Sequence, residues 1–388
     1  MNNRSVPAFP KSFPNAHEEV FLELLLCDDA RFAELFHVWK QRTVLATMDH
    51  ASARLLPLLY KRIQIHAPTD DMLPTLRGVY KATWARNQRL LHGAERALDL
   101  LRQQHIDTLV LKGIPLLLDV YKDMGARFLS DVDVLIHPRH IRFVMRLLRE
   151  HGWRLHSPYF PCEDMLSEEQ IRRAVKEVTF SNDQGIELDV HWDLFEFSER
   201  DQELYAFDRL WERSCVVQNG AQAYRALSPE DALVHSVVHG AEGNPHRTLR
   251  WVTDAVALIR AHDIRWSDVF ERIEHTDHRI DVYTAFRFLE ERGCVVFPKS
   301  FAERIHQATF SKKERRTYAQ RANVSIAAWG RLPHLWKMYW TYECRGGHVF
   351  NRWAGLCMYL AHAWGFRRVR DLVPFVITKI YQRARRWL

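Results

Sequence analysis

The chain has 388 residues, 47% hydrophobic and 27% charged, enough for two or three domains with sizeable cores at roughly 100 to 200 residues each. These are globular proportions, so wholesale disorder is excluded, except at the first fifteen residues, where Pro7, Pro10 and Pro14 recur among polar groups. A net charge of +7 favours anionic partners without naming one.

Six scattered cysteines (Cys27, Cys162, Cys215, Cys294, Cys344, Cys357) form no CxxC pair and no tight cluster. That argues against a zinc knuckle or a disulfide framework and suits a reducing compartment. No signal-peptide core opens the chain and no apolar run is long enough to span a bilayer, so a cytoplasmic protein is expected.

From Glu18 to about Gln104 the apolar spacing is helical, as in EEVFLELLLCDDARFAELFHVWKQ and LLHGAERALDLLRQQ, which predicts an all-helical region over 1–104. The character changes at Asp107. TLVLKG reads as a strand ending in Gly113, and IPLLLDVYK resumes a helix with Pro115 in its first turn. GARFLS reads as a loop, DVDVLI as a strand, and PRHIRFVMRLLREHG as a helix closed by Gly152. WRLH, VKEVTFSN and IELDVHW complete the strands of an α+β core over 105–227. After Ser228, an N-cap followed by Pro229, Glu230 and Asp231, the chain returns to helices, giving a helical region over 228–388. The expected fold class is therefore α+β, a small mixed sheet flanked by helical regions. No internal repeat is evident.

The stretch FLSDVDVLIH sets two aspartates in an apolar run. On a strand, Asp131 and Asp133 share one face and Val132, Val134 and Ile136 the other. Two carboxylates so placed repel, and a hard cation such as Mg²⁺ is the economical counter-charge, although a solvated strand end is the ordinary alternative for D-x-D alone. In IELDVHW the same alternation puts Glu187, Asp189 and His191 on a polar face. If that strand neighbours DVDVL, Asp189 completes a three-carboxylate cluster able to hold two Mg²⁺ ions about 3.5 to 4 Å apart. Such a clamp suits in-line transfer at phosphorus, with Asp189 as candidate base. A triphosphate also needs a positive cradle, for which Lys112 and Gly113 in the turn before a helix, Arg127, and Ser130 are candidates. Each has an ordinary reading as well: a turn lysine, an arginine that neutralises Asp131 or Asp133, and for His191 a packed histidine.

The sequence L-K-G, a helix, G-x-R-x-x-x-D-x-D-x-L, a helix ending in G-W, and a strand L-D-x-H-W resembles the polymerase-beta-like nucleotidyltransferase superfamily. More narrowly it is similar to the bacterial uncharacterised nucleotidyltransferase family, nucleotidyltransferase family 5, over roughly residues 20–300, with the motifs confined to 109–192. The resemblance implies metal binding by Asp131 and Asp133, a third catalytic carboxylate at Asp189, and triphosphate contact around Lys112 and Gly113. The wider superfamily places Gly-Ser or Gly-Gly-Ser where this chain has Lys112-Gly113.

His235 and His239 stand one helical turn apart, the zinc spacing of H-E-x-x-H, but the glutamate is missing from H-S-V-V-H. With Arg250 and Asp254 they are expected to line the cleft facing the core or to pack between helices. Patterns for serine hydrolases, P-loop enzymes and dinucleotide folds are absent. At the C-terminus, Arg367, Arg368, Arg370, Lys379, Arg383, Arg385 and Arg386, interleaved with aromatic residues, form a basic amphipathic stretch for a membrane surface or an RNA, or a solvated helix face. RNA is the less favoured partner.

The expected activity is Mg²⁺-dependent transfer of a nucleoside monophosphate from an NTP, ATP in first place, to an acceptor hydroxyl on a small molecule, peptide or protein. Kinase-type phosphotransfer on the same fold and a silent nucleotide-binding or anion-binding adaptor are the alternatives. Asp131→Ala or Asp133→Ala is expected to abolish transfer with the fold largely intact.

Overall fold

The computed structural model describes residues 9, 13–156, 168, 171–172, 175–195, 203–241, 248–323 and 370. The basic C-terminal stretch lies outside them, apart from Arg370, which is exposed. Pro7, Pro10, Cys162, Cys344 and Cys357 lie outside them too.

The chain enters the fold through helices with local start signals. Asn15 caps α1 (Ala16–Leu26) in a reciprocal capping box with Glu18. Asp28 caps α2 (Asp29–Gln41), so the apolar stretch that reads as one helix is broken at Cys27. After α3 (His50–Ala53) and α4 (Leu56–His66), α5 (Leu73–Gln103) runs 31 residues. Its buried stripe, from Leu90 and Leu91 through Ala94, Ala97 and Leu98 to Leu101, follows the three-to-four spacing of one helical face.

Seven strands follow: β1 (Thr108–Leu111), β2 (Val132–Ile136), β3 (Arg154–His156), β4 (Glu177–Ser181), β5 (Glu187–His191), β6 (Cys215–Asn219) and β7 (Gln222–Ala226). They form one mixed sheet in the order β3-β4-β5-β2-β1-β7-β6, with β2 parallel to β5 and β1 parallel to β7. The fold is α+β with helical flanks. The β6–β7 hairpin, turning at Gly220 in the left-handed region (φ +60°), goes beyond the strands expected from sequence.

The two faces of the sheet are chemically distinct. Val110, Val132, Val134, Ile136, Val178, Phe180, Leu188 and Val190 pack against α5 and against α7 (Ile141–Glu150). The opposite face carries Leu109, Leu111 and Leu135 into a second core shared with the helices that follow the sheet. On that same face alternation places Asp133, Asp189, His191, Glu177 and Thr179.

Those later helices are α8 (Phe207–Glu212), α9 (Pro229–Ala241), α10 (Arg250–Ala261), α11 (Trp266–Glu274), α12 (Arg279–Glu291), α13 (Lys299–Gln307) and α14 (Lys312–Asn323), with α6 being the short turn Gly113–Pro115 after β1. Ser228 Oγ accepts from the Asp231 amide, as an N-cap of α9 should. Helices α9 and α10 touch at Gly240, where a Cβ would lie 2.1 Å from Trp251 Cβ. Only glycine permits that approach. Among the described residues no helix is long and apolar enough to cross a membrane.

Candidate active site

The pairing of β2 with β5 sets Asp133 directly opposite Asp189 and Leu135 opposite His191. Asp131 sits one residue before β2, on the same side as Asp133 by alternation. Ligand atoms of Asp133, Asp189 and His191 all lie within 4.8 Å of one another. The two segments that carry carboxylates in the sequence are thus neighbours in the sheet.

Around Asp133 the charges interlock. Lys112 Nζ donates to its Oδ1 at 2.5 Å, and His191 Nε2 lies 3.0 Å from the same oxygen. The other imidazole nitrogen, Nδ1, lies 2.8 Å from Glu177 Oε2, off the line a good hydrogen bond needs. Burial alone would raise the Asp133 pKa, but Lys112 and His191 hold it well below the ordinary carboxylate range. Burial would likewise neutralise His191, yet Glu177 and Asp133 raise its pKa, so the two carboxylates favour the protonated ring. Lys112 keeps its charge against burial for the same reason.

Asp189 has the opposite balance. Burial, and then the charge of Asp133, push its carboxyl up to about 7, and its Oδ1 is buried with no hydrogen-bond donor. Asp131 is raised by burial and by Asp133, and accepts only the Ser130 hydroxyl at 3.0 Å among the described hydrogen bonds.

An orphaned Asp189 oxygen within 4.8 Å of the ligand atoms of Asp133 fits a hard divalent cation, which takes oxygen ligands, while Asp131, on the same side, lies outside that close group. Asp131, Asp133 and Asp189 have the right donor chemistry. His191 has its Nε2 committed to Asp133, so it orients that carboxylate.

Lys112 closes β1 with φ +48° and ψ −105°, a strained backbone for a residue with a side chain. The turn after it packs tightly: a Cβ on Gly113 would lie 2.5 Å from Leu129 Cδ2 and 3.1 Å from Arg127 Nη1. The helix expected there opens as the three-residue α6 and continues as a π-helical stretch, Leu116–Tyr121. The loop leading to β2 is held by Asn87 of α5. Its amide donates to Met124 O and Arg127 O at 2.7 Å and accepts from Leu129 N.

The other candidates divide. Arg127, expected at a phosphate or at Asp131, gives a two-pronged hydrogen bond to Asp254 at 2.9 and 2.8 Å, and Tyr121 donates to the same carboxylate. Arg250 donates through Nη1 to Phe128 O. Helix α10 therefore does face the core here. His235 is buried and His239 half-buried on α9, with pKa values lowered by burial and then by the nearby Lys112, to about 3 for His239. They are neutral interior imidazoles. Among the described residues the one group fit for a metal is Asp133, Asp189 and His191, so the zinc spacing on α9 gathers no further ligand.

Sequence reasoning passed over Glu177, which faces His191 across the β4–β5 ladder, and Thr179, which faces Asp189. The alternation in EVTFS was visible, but its partner strand was not.

A buried carboxylate set on adjacent parallel strands, reached by a lysine turn from β1, has the arrangement of a nucleotidyltransferase core. The chain belongs to the uncharacterised nucleotidyltransferase family, whose model matches residues 43–293. No curated protein matches it significantly. Among solved structures, it is similar to the lincosamide antibiotic adenylyltransferase LnuA in its lincomycin-bound form (16% identity, 42% of this chain and 93% of that one, TM-score 0.30). It is also similar to an antigenic nucleotidyltransferase-like protein from Paracoccidioides brasiliensis (15% identity, 61% of this chain and 96% of that one, TM-score 0.29). Neither is close enough to lend its substrate to this chain.

Proposed function

We propose that this protein transfers a nucleoside monophosphate from an NTP, ATP in first place, to an acceptor hydroxyl. The observation that carries the reading is the register pair Asp133–Asp189, with Asp131 on the same side and an oxygen of Asp189 left without a donor. Asp131, Asp133 and Asp189 would hold the divalent cations, which when bound neutralise triphosphate charge and make the attacking hydroxyl more acidic.

The chain's own groups do the rest. Asp189 accepts the acceptor's proton as its oxygen attacks the α-phosphorus. The bond from the α-phosphorus to the bridging oxygen breaks, and pyrophosphate leaves with that electron pair. Lys112, beside the Asp133 carboxylate, would offer a positive contact to the phosphates. His191, braced by Glu177, fixes the Asp133 carboxylate. The acceptor is left open, since its pocket carries no motif of its own.

The test is incubation of the full chain with each α-labelled NTP and Mg²⁺ plus cell extract as acceptor source. Label should move to an acceptor with release of pyrophosphate, and Asp189→Asn should lower the rate about 10²-fold to 10⁴-fold. Transfer from the γ-position only, or binding without pyrophosphate release, would overturn the reading.

A further inference from the structure

The loop from Phe128 to Asp131 is ringed by arginines from distant parts of the chain. Arg86 of α5 lies 4.9 Å from the Phe128 ring centroid and donates to Leu129 O at 2.9 Å and Ser130 O at 3.2 Å. Arg54, just after α3, lies 5.2 Å from the same ring. Arg250 opens α10 and reaches Phe128 O. Arg127, the fourth, is neutralised by Asp254. Two guanidinium groups, those of Arg54 and Arg250, are then left facing one carboxylate, Asp131, which accepts a hydrogen bond from Ser130.

Two of these arginines are incompletely satisfied. Nε of Arg54 and Nε of Arg250 are both buried with no acceptor. A guanidinium presents a planar fork of donors that matches phosphate oxygens, and buried donors without acceptors are costly. The like charges also work against each other: burial and then Arg127 bring Arg250 down to about 10. The cluster therefore lacks an anion. It adjoins the Gly113 turn, since a Cβ on Gly113 would lie 3.1 Å from Arg127 Nη1, and Asp131 belongs to both neighbourhoods.

We infer that Arg54 and Arg250 form a phosphate subsite beside Asp131 that takes the terminal phosphates of the nucleotide, the part that departs as pyrophosphate. Contiguity with the glycine turn and with Asp131 favours this end of the nucleotide over a phosphate on the acceptor. The assignment rests on the transferase reading for the origin of the anion. The consequence is structural as well: Arg54 comes from the helices before the sheet and Arg250 from those after it, so bound phosphate would tie both to the loop that positions Asp131.

The experiment is calorimetric titration of the full chain with inorganic pyrophosphate and, separately, orthophosphate, in Mg²⁺ and in EDTA. Wild type should bind pyrophosphate more tightly than orthophosphate. Arg54→Gln and Arg250→Gln should each weaken pyrophosphate about tenfold or more at an unchanged melting temperature, with partial recovery in Arg54→Lys. If Arg250→Gln does not fold, Arg54→Gln decides alone. Unchanged pyrophosphate affinity in Arg54→Gln overturns the subsite, and equal affinity for the two anions reassigns it to an acceptor phosphate and overturns the proposal as stated. No turnover is involved, so the two readings fail separately. Pyrophosphate binding through these arginines without any nucleotidyl transfer sinks the transferase, and transfer with undiminished pyrophosphate binding in Arg54→Gln sinks the subsite.

Discussion

Asp231 and Asp133 are both carboxylates with almost no exposed surface, and their neighbourhoods are finished differently. Asp231, in the first turn of α9, takes two hydrogen bonds from Arg213, one from Arg272 at 2.9 Å and one from the Ser228 hydroxyl. Every carboxylate oxygen there has a donor. Asp133 is paired through Oδ1 alone, by Lys112 and His191, and it stands beside an Asp189 oxygen with no donor, while Asp131, two residues before it, faces two arginines whose Nε groups have no acceptor. A buried charge cluster that satisfies itself serves folding. One that leaves atoms of both signs unsatisfied, a few residues apart, stores repulsion that only bound ligands relieve.

The comparison breaks most sharply at Asp231. Asp231→Ala strands Arg272 and Arg213 without a counter-charge and should cost about 3 to 5 kcal/mol of stability in urea unfolding. A loss under about 1 kcal/mol would mean that the arginines find other partners or water. Asp133→Ala comes next, at about 3 kcal/mol, because it unpairs Lys112 and His191 together. The expectation of a largely intact fold rests on relieved repulsion, and the pairing of this aspartate with Lys112 and His191 weighs against it, so the measured loss decides between the two.

Asp189→Asn should behave oppositely. It removes the carboxylate whose ionisation the site resists, so the metal-free protein should keep its stability or gain up to about 1 kcal/mol, while transfer is lost. Magnesium at about a hundred times its dissociation constant should stabilise the wild type by about 2.7 kcal/mol, and Asp189→Asn should forfeit most of that gain. Thermal melts in Mg²⁺ against EDTA make the measurement. An equal Mg²⁺ shift in both proteins would take Asp189 out of the metal site.

Much of this difference was written locally and some was not. Period-two alternation in DVDVLI and IELDVHW gives the faces on which Asp131, Asp133 and Asp189 lie, and Ser228-Pro229 gives the start of α9. Alternation does not say which strand lies beside which, so Glu177 and Thr179 became legible only with the β4–β5 register. The β6–β7 hairpin had its Asn219-Gly220 signal, unread in a stretch without strong alternation. Arg54 and Arg86 carry no local pattern at all, since a guanidinium that reaches across the fold is set by tertiary packing. Arg127 shows the limit from the other side. Its spacing from Asp131 suggested a phosphate or a neighbouring aspartate, and the chain supplied Asp254 from α10.

The mildest test uses the residue next to Asp231. Glu230 is buried, but its partner Arg265, bonded at 3.0 Å, has a side chain 63% exposed, so water and salt screen the pair. Burial would raise the Glu230 pKa, yet the hydrogen bonds from Arg265 bring it down to about 2 from an ordinary 4.5. The folded carboxylate thus holds its proton less tightly than the unfolded one. Its stabilisation is complete above pH 4.5 and is lost as pH falls through that value toward 2. With one partner in water the effect should stay below about 1 kcal/mol and shrink further in 1 M salt. Glu230→Gln should flatten the acid limb of the stability curve by that amount and leave neutral pH nearly unchanged relative to Asp231→Ala. An acid limb identical to wild type would show that Arg265 and Glu230 meet without consequence. A loss as large as that of Asp231→Ala would show that exposure of one partner does not set the strength of these pairs, and the contrast between closed and open clusters would then need another cause.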